Sequence, residues 1–259
     1  MSQLKFASNL ITVSIVSHDQ MALVQPLLEQ LNLHSSHSIA KVVLTCNIPE
    51  PALTPIKDCK FSIETIHNAK PKGFGENHNE AFKHCGTPWF LVLNPDIRVH
   101  SDVLAPLLLA SKTGSAILAP RIFEPDKIRP EAHRALITPL EIVTRNRANY
   151  LSPDKPEWIP GLFMLFRQAA YAQVQGFDNK RFFMYGEDFD ISARMVLAGW
   201  QLQIAENLFA THEAQRASRT KVRHLSWHVK SLLKIWSSPV FWKYRALTKS
   251  KRIGTNSNP

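Results

Sequence analysis

Hydrophobic positions along the chain change period several times, and the changes predict alternating strands and helices. Ile11-Thr12-Val13-Ser14-Ile15-Val16-Ser17 is short and rich in β-branched residues, as strands are. Leu23, Leu27, Leu28 and Leu31 follow at near-helical spacing. A second strand is predicted from Ile39 to Thr45, a weaker one from Phe61 to Ile66, and a helix near Asn77 to His84. Trp89-Phe90-Leu91-Val92-Leu93 is an unbroken apolar run, the pattern of a strand buried on both faces of a parallel sheet, and Asn94-Pro95-Asp96 stops it. In open α/β sheets ligands bind at such strand ends.

Residues 100–120 read as a further helix and strand, ending at Ala119-Pro120-Arg121. From Ile122 to Pro160 the period lapses: six prolines fall there, with one short helix expected around Leu140 to Arg147. Irregular stretches of that length inside a compact domain are more often lids than linkers. Order returns with a strand over Gly161 to Phe166, a helix from Gln168 to Val174, a turn at Gly176-Phe177-Asp178 and a helix from about Glu187 to Ala198 closed by Gly199. A strand-like Gln201 to Ala205 and a connection over Glu206 to Thr211 lead to His212. Beyond it, Leu225, Val229, Leu232, Leu233 and Trp236 form one helical stripe with Lys230, Lys234 and His228 off it, which predicts an amphipathic basic helix. Pro239 and a cluster Phe241-Trp242-Lys243-Tyr244-Arg245 follow.

Composition alters this picture at one end only. The 259 residues carry a net charge of +10, but 11 of the 31 Lys/Arg lie between Ala214 and Pro259, where there is no acid. The remainder is nearly balanced, 20 against 21. A neutral globule with a cationic end suits an anionic membrane surface; the alternative is that Leu225, Val229, Leu232 and Trp236 pack on the chain's own sheet while the lysines are solvated. A nucleic-acid partner would leave the block from Gly161 to Gly199 without a purpose, so none is expected. No apolar run approaches the roughly 18 to 20 residues of a bilayer span, and no secretory leader is legible, so the expected location is cytoplasmic. Cys46, Cys59 and Cys85 have no paired spacing and are expected to be reduced and mostly buried.

Two places could carry chemistry. Asp96 lies just past the end of the buried strand, where a hard divalent cation bridging two phosphates needs only one or two protein carboxylates; an Asx turn that ends the strand is the alternative. Glu187 and Asp188 open a helix after the apolar Arg181-Phe182-Phe183-Met184-Tyr185, so they are either helix-start caps or buried acids with a task. Asp190 and Arg194 are four apart on one face and read as a structural pair, which leaves Asp188 as the better general base. His212 is either a surface or satisfied side chain or, since imidazole suits manganese, a further ligand beside Asp96. Gly73-Phe74-Gly75-Glu76-Asn77-His78-Asn79 resembles a glycine-rich phosphate cradle but lacks the spacing of the known fingerprints.

Taken in order, Ile15-Val16-Ser17-His18, Gly73 to Asn79, Leu93-Asn94-Pro95-Asp96-Ile97, Gly161 with Phe163-Met164-Leu165, Gly176-Phe177-Asp178 and the run Phe182 to Asp190 with Arg194 and Gly199 resemble an inverting family 2 glycosyltransferase. The resemblance spans roughly residues 11 to 236 and is strongest to bacterial rhamnosyltransferases of O-antigen and cell-surface polysaccharide assembly. It implies a GT-A fold, an α/β nucleotide-binding sandwich around a mostly parallel sheet. Residues 1–213 would form that domain, a nucleotide-sugar half to about 120 and an acceptor half beyond, with 214–259 a basic extension. It implies donor contacts from Ser17, His18, Asn47, Gly73, Phe74, Gly75, Asn79, Asn94 and Asp96, and acceptor contacts from Gly161, Tyr185 and Asp190. It further implies a divalent metal, manganese or magnesium, at Asp96 and His212, and catalysis by Asp188 with Glu187. The partners implied are a nucleotide sugar such as dTDP-rhamnose and a saccharide on a polyprenyl diphosphate, met at the inner face of the bacterial cytoplasmic membrane. One departure stands out: Cys46-Asn47-Ile48-Pro49-Glu50 keeps only the Asn of a usual nucleoside-binding Asp-Asn motif with its later Ser and Asp. A UDP- or GDP-sugar donor, or an inactive partner subunit, is the alternative that this departure raises.

Overall fold

The structure, a computed structural model, describes residues 8–125, 127–145, 147, 149–213 and 221–255, apart from the side chains of 221–226 and 251–255. Eight strands form one mixed sheet: β1 (Ile11–Ser17), β2 (Ile39–Cys46), β3 (Ser62–His67), β4 (Trp89–Leu93), β5 (Ile97–Arg98), β6 (Ser115–Phe123), β7 (Phe163–Arg167) and β8 (Gln201–His212). Their order across the sheet is β3-β2-β1-β4-β7-β6-β8-β5. β1 runs parallel to β2 and β4, and β2 parallel to β3, whereas β7 is antiparallel to both β4 and β6. The C-terminal ends of β1, β2, β3, β4 and β6 therefore meet the N-terminal end of β7 along one edge.

Alternation sorts the strand side chains onto two faces. Ile11, Val13 and Ile15 of β1 and Leu91 and Leu93 of β4 pack with α1 (Met21–His34) and α3 (Leu104–Leu109) through Leu27, Leu28, Leu31, Leu104 and Leu107. Phe90 and Val92 face the other way, against α2 (Phe74–Phe82), α5 (Gln168–Gln173) and α6 (Glu187–Leu197). β4 is thus buried on both faces, as its unbroken apolar run predicts.

Several expectations need correction. The α2 helix begins at Phe74, so the glycine-rich stretch is its first turn and not a loop before it. Pro120 does not end β6, which runs to Phe123: the register against β8 shifts between Pro120 and Arg121, and a strand tolerates a missing N–H at such an irregularity. β8 continues through the residues read as a connection and carries His212 at its end. Cys59 is exposed and Cys85 half-buried, so only Cys46 is buried.

The C-terminal segment forms two helices, α7 (Lys221–Trp236) and α8 (Pro239–Thr255). Their buried side differs from the predicted stripe. Ser231 and Ile235 face the protein with Leu232 and Trp236, while Val229 and Leu233 are 49% and 59% exposed; the side chain of Leu225 lies outside the described residues, as do residues 214–220. Ile235, Phe241 and Tyr244 close a third apolar cluster with Trp158, Phe182 and Phe189. These helices complete a core with α6.

Candidate active site

The sheet topology assembles the site. β4 pairs with β7 so that Leu93 lies opposite Phe163, and Asn94 N–H donates to the Leu162 carbonyl at 3.0 Å. Asp96 and Gly161 thereby leave the same sheet end. Gly161 N–H in turn donates to Asp188 Oδ2 at 3.1 Å, across 27 residues of sequence. β5 pairs Ile97 with His212 at the end of β8, which brings the His212 imidazole to 3.1 Å from Asp96 Oδ2. Ser17 and Asn47, at the ends of β1 and β2, belong to the same edge.

Asp96 and His212 are both largely buried, with side chains 16% exposed. Asp96 Oδ1 and His212 Nδ1 are buried and have no hydrogen-bond partner among the described residues, a costly state for polar atoms unless something completes it. Burial pulls the His212 pKa down, but the hydrogen bond and charge of Asp96, with Glu124 and Glu131, outweigh it and leave the imidazole raised. The turn is braced from below by the buried Arg98, which donates to the Pro95 carbonyl at 2.9 Å and pairs with Glu213 at 2.8 Å. Among the described residues no three His, Cys, Asp or Glu converge. One carboxylate and one imidazole fit a hard cation whose remaining positions go to phosphate oxygens and water.

Asp188 is held by two backbone donors, Gly161 N–H and, at 2.8 Å to Oδ1, Phe189 N–H. Burial raises its carboxyl above the ordinary range; those bonds and the charge of Arg134 pull the other way. Glu187 beside it is 5% exposed, and one of its carboxylate oxygens has no partner. Burial first, then the charge of Asp188, pushes its pKa up to about 8, so Glu187 is largely a neutral acid near neutrality. Burial raises the pKa of both adjacent acids. The turn before them is strained, with Tyr185 at φ 69°, and α7 holds it: Ser231 donates to the Met184 carbonyl at 2.9 Å, and the Tyr185 ring stacks on His228 at 3.7 Å.

Gly73 and Gly75 have a packing task. A Cβ on Gly73 would come to 2.4 Å from the carbonyl oxygen of Phe183, and one on Gly75 to 2.6 Å from Phe177 Cβ. Phe74 N–H donates to that same Phe183 carbonyl at 3.0 Å. The segment clasps the backbone that leads into the acidic pair. Asn79 is likewise committed, accepting from Tyr171 Oη and Phe177 N–H and donating to the Phe177 carbonyl. Asp190 is 3% exposed and holds Arg194 at 2.7 Å, the structural pair that their spacing predicts. Arg194 also donates to the Val174 and Gly176 carbonyls, which fixes the turn after α5.

At the ends of β1 and β2, Asn47 is a hub. It donates to the Lys72 carbonyl, accepts from Lys72 N–H and Asn68 Nδ2, and lies 3.1 Å from His18 Nδ1. Glu50 fills part of the altered motif, accepting from Ser17 Oγ at 2.6 Å and Gln20 N–H at 3.2 Å, with its second carboxylate oxygen buried and unpartnered. Glu50, Asn68, Lys72 and Arg98 escaped the sequence reading. No period marks them, since each acts through contacts with other segments.

The family model described as "Glycosyl transferase family 2" matches residues 50–173. The chain carries a family 2 glycosyltransferase domain. Rhamnosyltransferase WbbL of Escherichia coli (strain K12) is 26% identical to this glycosyltransferase over 245 residues, covering 86% of this chain and 90% of the relative. N-acetylglucosaminyl-diphospho-decaprenol L-rhamnosyltransferase of Mycobacterium tuberculosis is 29% identical over 199 residues, 66% of this chain and 64% of its own length. The mannosyltransferase PcManGT from Pyrobaculum calidifontis, solved with GDP-Man and Mn2+, superposes with a TM-score of 0.59 at 13% identity, over 95% of this chain and 78% of its own. The fold of this glycosyltransferase is GT-A. Among its described residues no helix is long and apolar enough to cross a membrane.

Proposed function

We propose that this glycosyltransferase transfers L-rhamnose from dTDP-rhamnose to a saccharide carried on a polyprenyl diphosphate, with inversion at the anomeric carbon. The observation that carries the reading is the placement of Asp188: it is clamped by Gly161 N–H at the sheet edge where Asp96 and His212 converge. The rhamnosyl donor and the diphospho-lipid acceptor come from the two relatives, whose names print those chemistries.

In this mechanism Asp188 accepts the proton of the acceptor hydroxyl as that oxygen attacks the anomeric carbon. The two backbone N–H groups fix the carboxylate's direction, and its raised pKa makes it a stronger base than a solvated aspartate. Glu187, neutral and buried behind it, adds no second negative charge to the site. Asp96 and His212 would hold manganese or magnesium, which when bound neutralises charge on the departing nucleoside diphosphate. Ser17, His18, Asn47 and Asn94 border the donor at the same edge, and Tyr185 and Gly161 border the acceptor.

The acceptor class calls for a membrane surface. Val229, Leu233 and Trp242 are exposed apolar side chains on α7 and α8, interleaved with Lys230, Lys234, Lys243 and Arg245, a composition that binds anionic lipid. Phe183, 49% exposed beside the catalytic turn, adds to this apolar surface at the mouth of the site. The test is a transfer assay with dTDP-, UDP- and GDP-sugars and N-acetylglucosaminyl-diphospho-lipid, with and without Mn2+. Product only from dTDP-rhamnose, with an inverted anomer, supports the reading; transfer from a UDP- or GDP-sugar replaces the donor, and no transfer from any of them sinks it.

A further inference from the structure

The irregular chain between β6 and β7 encloses a cleft of about 680 Å3, whose walls include Lys127, Arg129, Arg134, Arg145, Tyr150 and Trp158. That is the size of a site for a small molecule or for one sugar with its linkage. Its anchor is aromatic: the Trp158 indole N–H donates to the Ala135 carbonyl at 2.8 Å, and the Arg134 guanidinium stands 5.8 Å from the Trp158 ring centre. Four cations line the space. The two carboxylates among them are already engaged, Glu131 by Arg134 at 2.6 Å and Glu141 by the Tyr150 hydroxyl at 2.6 Å. Arg129 and Arg145 are exposed and have no ion-pair partner among the described residues, and Arg134 Nε is buried with no hydrogen-bond partner there.

An excess of planar guanidinium donors, one of them desolvated and unsatisfied, suits phosphate oxygens, which accept from Arg in pairs. Position narrows the source of that phosphate. Trp158 precedes Gly161, the residue that clamps Asp188, by three residues, at most about 10 Å of extended chain and the length of one hexose with its linking oxygen. Arg134 is close enough for its charge to act on Asp188. Glu131 stands in the wall of the cleft and is held there by Arg134 at 2.6 Å.

We propose that this cleft binds the diphosphate of the lipid-linked acceptor, with Arg129, Arg134 and Arg145 gripping its oxygens and so presenting the first sugar to Asp188. The proposal rests on the acceptor class proposed above and adds the site that reads it. The linkage to the carrier, and not the sugar alone, then decides which acceptors bind.

The test is calorimetric titration of the full chain with four probes: N-acetylglucosaminyl-diphospho-farnesol, octyl N-acetylglucosaminide, inorganic diphosphate, and dTDP with Mn2+. Arg129→Gln and Arg145→Gln change exposed side chains and leave the fold intact; Arg134→Lys keeps the charge and loses the fork. Each is expected to weaken the diphospho-lipid sugar at least tenfold, the factor one charge-assisted hydrogen bond carries, with dTDP–Mn2+ and the octyl glycoside unchanged. Equal affinity of the wild-type chain for octyl glycoside and diphospho-lipid sugar, or unaltered affinity in all three variants, overturns the proposal. So does a loss confined to dTDP, which would make the cleft a donor site, or binding of inorganic diphosphate as tight as that of the lipid, which would make the ligand a free anion. Arginine-dependent binding of the diphospho-lipid without rhamnosyl transfer from any donor refutes the proposed reaction and leaves the cleft standing. Transfer that is insensitive to all three variants does the reverse.

Discussion

Gly161 N–H donates to Asp188 Oδ2 at 3.1 Å, and a Cβ on Gly161 would lie 3.1 Å from Phe74 Cζ and 3.7 Å from Asp188 Cβ. A side chain there would press on the Phe74 ring, whereas its approach to Asp188 would be ordinary van der Waals contact. Asp188→Asn keeps the shape and removes the basicity. Transfer is expected to fall about 10²- to 10⁴-fold, the usual contribution of a positioned base, while donor binding holds. A normal turnover rate in that variant removes Asp188 as the base.

Because burial raises the Asp188 pKa and the base must be ionised, transfer is expected to fall on acidification at a pH above the 3.8 of a free aspartate. The measurement is the pH profile of kcat with donor and acceptor saturating. An acid limb at or below the free-aspartate value counts against the assignment.

Glu187 ionises at its ordinary 4.5 in the unfolded chain but only at about 8 in the folded one. Between those values the unfolded state releases a proton that the folded state keeps, so this group makes stability fall as pH rises, by up to about 1.4 kcal/mol per unit. Below 4.5 it contributes nothing and above 8 the full penalty stands. Glu187→Gln is therefore expected to flatten the decline of stability from pH 5 to 8 and to raise Tm at pH 8. Parallel urea-unfolding curves across that range decide it; an unchanged slope refutes the raised pKa.

For Asp96 and His212 the expectation concerns ligand-linked stability. Mn2+ with dTDP should raise the Tm of the wild-type chain, and Asp96→Ala or His212→Ala should abolish the part that depends on Mn2+. A metal-dependent shift that survives both substitutions places the cation elsewhere.

Truncating the C-terminal helices would confound a membrane test, because Phe241 and Tyr244 are 2% exposed in the cluster under α6. Phe241→Ala should cost about 3 to 5 kcal/mol of stability, as buried Phe truncations do. Leu233→Asn with Trp242→Gln instead alters exposed side chains, and is expected to leave Tm unchanged while reducing sedimentation with vesicles containing anionic lipid. Full sedimentation of that double variant refutes lipid contact through this face.

Sequence periodicity placed the strands and helices of the sheet because local propensity and burial agree there: β4 reads as an apolar run and is buried on both faces. The ends of elements were less legible. β6 passes through Pro120 and β8 runs on to His212 because pairing between strands overrode local signals. On α7 the register of the buried face was set by Trp158, Phe182 and Phe189, which no helical wheel contains.

The chemistry divides the same way. Asp188, Asp96 and His212 were legible as residue types at strand and helix ends, where chain geometry exposes functional groups. That Gly73 and Gly75 pack against Phe183 and Phe177, and that Arg134 of an irregular loop comes close enough for its charge to act on Asp188, were decided by tertiary structure alone. Each is a contact between segments far apart in the chain, and a period along one segment carries no information about the surface another segment brings to it.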